Sequence, residues 1–115
     1  TPVQAAYAKF LDNRDAYLEL SAFYQEKRDL FRKLVESSNF TLKPAQGSYF
    51  QLLGYENISD EADVDFAIRL TKEFKVASIP VSVFYNKKVD HKVLRFCFAK
   101  QNSTLEEAAA ILNKL

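Results

Sequence analysis

The segment KVLRFCFAK (92–100) constrains the fold most, because its side chains alternate as they do in a β-strand with one buried face. Three bulky apolar residues share one side of this strand: Leu94, Phe96 and Phe98. Arg95 lies on the other side, beside the small residue Cys97. An arginine is rarely buried without a partner. The pattern therefore predicts a strand whose apolar side faces helices and whose arginine lies on the opposite face of the sheet.

Apolar periodicity along the rest of the chain predicts further helices and short strands. The predicted elements are a first helix to about Leu11, a short helix and a long one ending near Ser37, a strand in 47–55, a helix over 63–74, a strand in 76–85, the strand in 92–100 and a helix over 103–115. We therefore expect an α+β two-layer domain over residues 1–115, with long N-terminal helices. Its sheet should be small, three-stranded and mainly antiparallel, with helices on one face.

Local signals refine these boundaries. The candidate helix caps are Ser21, Ser59 or Asp60, and a capping box of Ser103 with Glu106. Pro80 cannot donate to a strand ladder, so its strand should lie at an edge or begin there. The carboxylates of EADVD (61–65) are typical of charges at a helix start.

Composition excludes several classes of protein. With 115 residues, 48% hydrophobic and 27% charged, the chain should form one globular domain. A net charge of +1 gives no reason to expect nucleic acid or a membrane as a partner. The single cysteine excludes an internal disulfide and suits a reducing compartment, which predicts a cytoplasmic protein. The opening TPVQAA, with Pro2 in a first helical turn, suggests that this chain begins within a longer protein.

The spacing alone leaves the role of Arg95 open. A planar guanidinium can bind a carboxylate through two parallel hydrogen bonds. An ordinary surface arginine lying over the sheet is the simpler interpretation, and the spacing favours it. His91 lies in a charged connector, and Cys97 has no evident base beside it. One histidine and one cysteine do not make a usual zinc site, and no glycine-rich phosphate loop is present.

Four segments, in this order, resemble one enzyme family: GSYF (47–50), IPVSVFY (79–85), DHKVLRFCFAK (90–100) and TLEEAAAIL (104–112). They are similar to the C-terminal portion of class I, fold-type I pyridoxal-phosphate aminotransferases. Within that family the resemblance is to the branch of the methionine and the kynurenine/glutamine aminotransferases. TPVQAAYAKFL and FYQEKRD also fit, so the resemblance covers essentially the whole chain.

This resemblance implies a role for three residues. Arg95 is at the position that binds the α-carboxylate of the amino-acid substrate, and Phe50 is at one that walls the side-chain pocket. Tyr49, directly before Phe50, is the third residue expected to bind the substrate. It gives no chemical role to the segment 79–85. The cofactor residues of the family belong to a large domain, and none of the eleven lysines here follows the family's serine-x-x-lysine pattern. The chain is thus expected to be a fragment that binds no pyridoxal phosphate and is inactive alone.

In the parent enzyme, the resemblance implies transfer of an amino group from methionine, glutamine or an aromatic amino acid to a 2-keto acid. It also implies a homodimeric parent with pyridoxal 5'-phosphate bound by the missing large domain. Two alternatives stay open. One is a carbon–sulfur β-lyase of the same fold, and the other is a stand-alone module that binds amino acids or another protein.

Overall fold

The computed structural model describes all residues from 1 to 115, which form five α-helices, four β-strands and one turn of 3₁₀ helix. The helices are α1 (Pro2–Leu11), α2 (Asp15–Leu18), α3 (Leu20–Val35), α4 (Asp63–Phe74) and α5 (Asn102–Leu112). The strands are β1 (Thr41–Leu42), β2 (Phe50–Gly54), β3 (Ile79–Pro80) and β4 (Val93–Cys97). The 3₁₀ turn is Val81–Phe84, directly after β3. The predicted α+β class is confirmed.

The four strands form one antiparallel sheet in the order β1-β2-β4-β3, so the strand that carries Arg95 lies between two others. The prediction of three strands was one short. The additional strand, β1, consists of Thr41 and Leu42, which pair with the end of β2. Two residues with Pro44 close behind are too few to show alternation. That is why this segment has the sequence pattern of a turn.

One face of the sheet packs against α3, α4 and α5, which gives the two predicted layers. Leu53 of β2 and Leu94 and Phe96 of β4 are buried on this face. The helices complete the same core with Phe31, Val35, Phe66, Ala67, Leu70, Leu105, Ala109 and Leu112. The opposite face of the sheet carries Arg95, which is half-buried.

The predicted strand in 76–85 was mostly wrong. Only Ile79 and Pro80 pair with β4, and the next four residues form the 3₁₀ turn. Pro80 lies on an edge strand, as expected. The departure from the sheet follows from Ser82, whose amide N–H and hydroxyl both donate to the carboxylate of Asp63. A backbone donor committed to a helix carboxylate cannot also bond to a neighbouring strand.

The predicted caps of α3 and α5 were wrong. α3 begins at Leu20, and the residue before it already has helical dihedral angles, so no restart is left for Ser21 to cap. α5 begins at Asn102 and has no side-chain cap. Ser103 therefore lies within the helix, where its backbone is helical and the predicted box with Glu106 does not form.

α4 is capped from a distance instead of by Ser59 or Asp60. The helix begins at Asp63, whose amide N–H donates to Asp90 Oδ2 at 3.0 Å. Asp90 is 27 residues further along, in the connector before β4. A carboxylate at a helix N-terminus stabilises it by accepting from a free amide and by opposing the helix dipole. A local sequence pattern cannot predict a cap of this kind.

α1 extends away from the rest of the domain. None of its residues is buried, and Val3 and Tyr7 are 77% and 63% exposed. The chain is accordingly elongated, at 51 × 32 × 25 Å with a radius of gyration of 17.0 Å. A compact chain of this length would have a radius of gyration of about 13 Å. None of the five helices combines the length and the hydropathy that a membrane-spanning segment requires.

The free energy of unfolding should fall at alkaline pH because of Tyr55. This residue is fully buried, and its hydroxyl donates to the Glu61 carbonyl oxygen at 2.8 Å. Burial, and next the charges of Asp90 and Asp63, raises the pKa of Tyr55 above its ordinary value. The stability from this group is complete below about pH 10, the pKa of an unfolded tyrosine. Above it the unfolded chain binds fewer protons than the folded one, so the free energy of unfolding should fall by up to about 1.4 kcal/mol per pH unit.

Urea unfolding of the chain at a series of pH values from about 8 to about 11 measures this effect. In Tyr55→Phe, the part of the slope due to this proton should be lost. The matched control is Tyr7→Phe, on the exposed α1, which should keep the slope of the wild type. Equal slopes in Tyr55→Phe and wild type would contradict the assignment.

Candidate functional site

The candidate site is centred on Arg95, in the middle of β4. Arg95 is directly opposite Leu52 of β2 on one side and Ile79 of β3 on the other. The predicted separation of faces is confirmed, because Leu94 and Phe96 are buried among the helices while Arg95 is half-buried on the other face. The guanidinium therefore lies on the side of the sheet that the helical layer does not cover.

Two phenylalanine rings contact the guanidinium of Arg95. Its Cζ lies 3.9 Å from the ring centroid of Phe50 and 4.7 Å from that of Phe84. Phe50 belongs to β2 and Phe84 ends the turn after β3, which are the two strands that flank β4. The rings thus approach the guanidinium from the two sides of β4. Aromatic faces attract a cation and stack on a planar guanidinium, which leaves its N–H edge for hydrogen bonds.

Arg95 has no acceptor within its own chain. Its Nε is buried without a hydrogen-bond partner, and Arg95 takes part in no ion pair. By contrast, Arg69 is paired with Glu61, and Arg32 donates to Gln51 and to a backbone carbonyl. A buried donor without a partner costs about 1–3 kcal/mol. Such groups in a folded protein call for an explanation, and a ligand that accepts the hydrogen bonds is one.

The two aromatic residues predicted at the site have different positions. Phe50 contacts Arg95, as described above. Tyr49 is 47% exposed, and its ring lies 4.4 Å from Phe50 and 6.2 Å from Tyr24 of α3, between ring centroids. It makes no stacking contact with the guanidinium. The bend at Ser48, with φ of 101°, precedes this pair, and the Ser48 hydroxyl accepts from the Phe50 amide at 3.2 Å. The structure thus joins Phe50 to Arg95 directly and Tyr49 only through Phe50.

Phe84 is the residue of the site that the sequence interpretation missed. The segment 79–85 has the composition of a continuous strand, in which the direction of Phe84 depends on alternation. The 3₁₀ turn changes that direction and brings the ring to Arg95. No local signal in the sequence marks this turn, because the carboxylate that holds it belongs to α4.

Asp63 is the carboxylate that holds the turn. Its side chain is buried, and it accepts from the Ser82 amide at 2.8 Å and from the Ser82 hydroxyl at 2.7 Å. The sequence predicts only a helix-start charge here. The position is as predicted, since Asp63 is the first residue of α4. Its partner, Ser82, lies 19 residues further along the chain, beyond β3, so the spacing of EADVD could not reveal it.

The other candidates lie apart from this arrangement. His91 is exposed in the connector before β4, with its ring centroid 5.8 Å from that of Tyr85. Cys97 is half-buried and shares the face of Arg95, but no hydrogen bond joins it to a base. The structure contains no group of three or more His, Cys, Asp or Glu side chains that could hold a metal ion.

Comparison with known proteins identifies the family to which this fold and site belong. The sequence profile of "Aminotransferase class I and II" matches residues 1–112. The chain therefore belongs to the class I and II aminotransferase family, and the resemblance drawn from the four sequence segments is confirmed.

Individual relatives agree with this assignment. Methionine aminotransferase of Escherichia coli (strain K12) is 42% identical over 116 residues, covering 100% of this chain and 30% of the relative. Kynurenine–oxoglutarate transaminase 3 of Homo sapiens is 32% identical, covering 97% of this chain and 29% of the relative. The chain thus spans about 30% of the length of the curated relatives that it matches.

Solved structures give the same result for the fold. The crystal structure of an E. coli protein with a methionine aminotransferase function has a TM-score of 0.94 at 42% identity, covering 100% of this chain and 31% of that one. N-succinyldiaminopimelate aminotransferase from Mycobacterium tuberculosis has a TM-score of 0.87 at 28% identity, covering 98% of this chain and 30% of that one.

The family implies pyridoxal phosphate in the parent enzyme, but the residues around Arg95 do not fit that cofactor. Covalent attachment of its aldehyde needs a lysine amine. The sheet positions around Arg95 instead carry Phe50, Leu52, Ile79 and Cys97. Lys92, just before β4, directs its Nζ to the Asp60 carbonyl oxygen at 2.7 Å. No chemical step on the cofactor is therefore assigned to residues of this chain.

Proposed function

We propose that this chain is the C-terminal small domain of a pyridoxal-phosphate-dependent aminotransferase and supplies the arginine that binds the α-carboxylate of the amino-acid substrate. The observation that carries the proposal is the guanidinium of Arg95, which two rings contact and which no acceptor of its own chain occupies. Coverage of about 30% of the relatives supports it, because this leaves most of the parent's length for a cofactor-binding domain.

The chemistry of Arg95 suits this role. A carboxylate and a guanidinium are both planar, and two parallel N–H···O bonds fix the substrate in orientation as well as in position. Held at its α-carboxylate, an amino acid presents its amino group and its α-proton in a constant direction to the groups of the missing domain. Orientation of this kind lowers the entropic barrier to reaction. The same residue would bind the 2-keto acid, since that co-substrate keeps the carboxylate.

The aromatic rings beside Arg95 support a preference among substrates. Phe50 would wall the pocket for the substrate side chain, and Tyr49 would extend that wall. Aromatic and sulfur-containing side chains pack well on such rings. We therefore propose methionine or an aromatic amino acid as the amino donor, and include glutamine because the sequence segments also resemble those of glutamine aminotransferases. The two relatives described above are named for methionine and kynurenine, which agrees with this choice.

The parent enzyme would be a homodimer whose large domain binds pyridoxal phosphate. Its substrates would be an amino acid and a 2-keto acid. The single cysteine favours a reducing compartment, so we propose a cytoplasmic enzyme.

A direct test compares the chain with the full-length protein. With methionine, a 2-keto acid and pyridoxal phosphate, the 115-residue chain should form keto acid no faster than the cofactor alone, because it has no lysine at the site to attach the cofactor. The full-length protein should form the keto acid of the donor. Keto-acid formation is followed by chromatography of both products.

Product analysis and a binding measurement separate the alternatives. Pyruvate and ammonia from a cysteine conjugate, without amino transfer, would identify a carbon–sulfur β-lyase. Saturable binding of one amino acid by the chain alone, measured by calorimetry, would favour a stand-alone binding module. Turnover by the chain alone would contradict the proposed division between two domains.

A further inference from the structure

The turn Val81–Phe84 is held by a buried carboxylate and not by strand pairing. Asp63 is 2% exposed, and both of its carboxylate oxygens accept from Ser82, one from the amide and one from the hydroxyl. The amide N–H of Asp63 donates to Asp90, whose other oxygen accepts from the Lys92 amide at 2.7 Å. These bonds connect the start of α4, the 3₁₀ turn and the connector that leads into β4.

Phe84 depends on this turn for its position. The side chain is 58% exposed and belongs to no part of the hydrophobic core. Its ring nevertheless lies 4.7 Å from Arg95 Cζ. An exposed ring gains little from burial, so its place is set mainly by the backbone that carries it. That backbone is anchored two residues earlier, where Ser82 meets Asp63.

We infer that Asp63, acting through Ser82, holds Phe84 against the guanidinium of Arg95, and that Asp63 and Phe84 are positioning residues for carboxylate binding at Arg95. The inference rests on the proposed function of Arg95. A free arginine side chain has many rotamers, and ordering it on binding costs free energy. With Phe50 on one neighbouring strand and Phe84 beyond the other, the guanidinium is already ordered before a carboxylate arrives.

Steady-state kinetics of the full-length protein test the part played by Phe84. Phe84→Leu should raise KM for the amino acid about 3- to 30-fold, the range expected for one lost cation–π contact. It should change kcat much less, because the ring touches none of the reacting atoms. Val83→Ala is the matched control, since Val83 is exposed on the same turn and has no aromatic ring to stack on the guanidinium. It should leave KM and kcat unchanged.

A double-mutant cycle tests the part played by Asp63. Asp63→Asn should raise KM in the wild-type background and should not raise it further in the Phe84→Leu background. Its effect on the melting temperature should be the same in both backgrounds, because Ser82 loses the same bond in each. A residue with a merely structural role would not lose its effect on KM when Phe84 is removed. Should Asp63→Asn fail to fold, Ser82→Ala replaces it, since that variant removes only the hydroxyl bond.

The outcomes separate this inference from the proposed function. If Phe84→Leu leaves KM unchanged while Arg95→Gln raises it, the inference is wrong and the role of Arg95 stands. If Asp63→Asn raises KM equally in both backgrounds, Asp63 does not act through Phe84 and the inference is also wrong. If Arg95→Gln itself leaves KM unchanged, the proposed function of Arg95 fails first.

Discussion

Replacing Arg95 with glutamine in the full-length protein should raise KM for the amino acid by roughly 30-fold to several thousand-fold. This range corresponds to about 2–5 kcal/mol, the cost of removing one partner of a buried charge pair. The substrate carboxylate would lose both hydrogen bonds and face Phe50 and Phe84 instead. KM for the 2-keto acid should rise as well, because it carries the same carboxylate. Steady-state kinetics with each substrate varied in turn give both values.

Arg95→Lys distinguishes charge from geometry. Lysine keeps the positive charge, but its ammonium is a point charge without a planar fork. It should therefore recover only part of the loss. Absorption of the bound cofactor should be unchanged in both variants, because no residue near Arg95 is placed to hold it.

Arg69→Gln is the matched control for Arg95. Arg69 also lies over two phenylalanine rings, with its Cζ 5.2 Å from the centroid of Phe66 and 5.9 Å from that of Phe74. Unlike Arg95, it is already paired with Glu61. Its replacement should leave both KM values unchanged. Equal kinetics for Arg95→Gln and the wild type would refute the carboxylate-binding role.

The part of the fold that the sequence predicts is the part governed by local periodicity. The alternation in 92–100 places Leu94 and Phe96 in the core and Arg95 on the other face, as the structure has them. The helix over 63–74 is also where its apolar spacing predicts it. In both segments, burial of one face and the backbone period select the same conformation.

The errors at the 3₁₀ turn and at the start of α4 share a different cause, which is hydrogen bonding between residues distant in the chain. Ser82 leaves the sheet because its donors bind Asp63, and α4 is capped by Asp90. Nothing in the local composition of either segment encodes its partner. Phe84 was missed for the same reason, because its contact with Arg95 exists only once the turn has formed. Half of the aromatic environment of the arginine thus depends on pairs that periodicity cannot detect.

Truncating a ring in the aromatic core behind β4 should strongly lower the stability of the domain. Phe66 of α4 is fully buried, with its ring centroid 4.4 Å from that of Tyr55 and 6.5 Å from that of Phe40. Phe40 in turn contacts Phe96, the residue after Arg95. Phe66→Ala removes a ring at the centre of this group. It should lower the free energy of unfolding by about 3–5 kcal/mol, through lost burial and the cavity that remains.

Urea unfolding of the chain gives this value, with Ile68→Ala as the control on the same helix. Ile68 is 47% exposed, so its truncation should cost well under half as much as that of Phe66. A loss of about 4 kcal/mol is a large share of the stability of a domain of this size. Phe66→Ala should therefore also loosen β4 and the position of Arg95. If both variants unfold at the same urea concentration, α4 does not hold the sheet as its packing indicates.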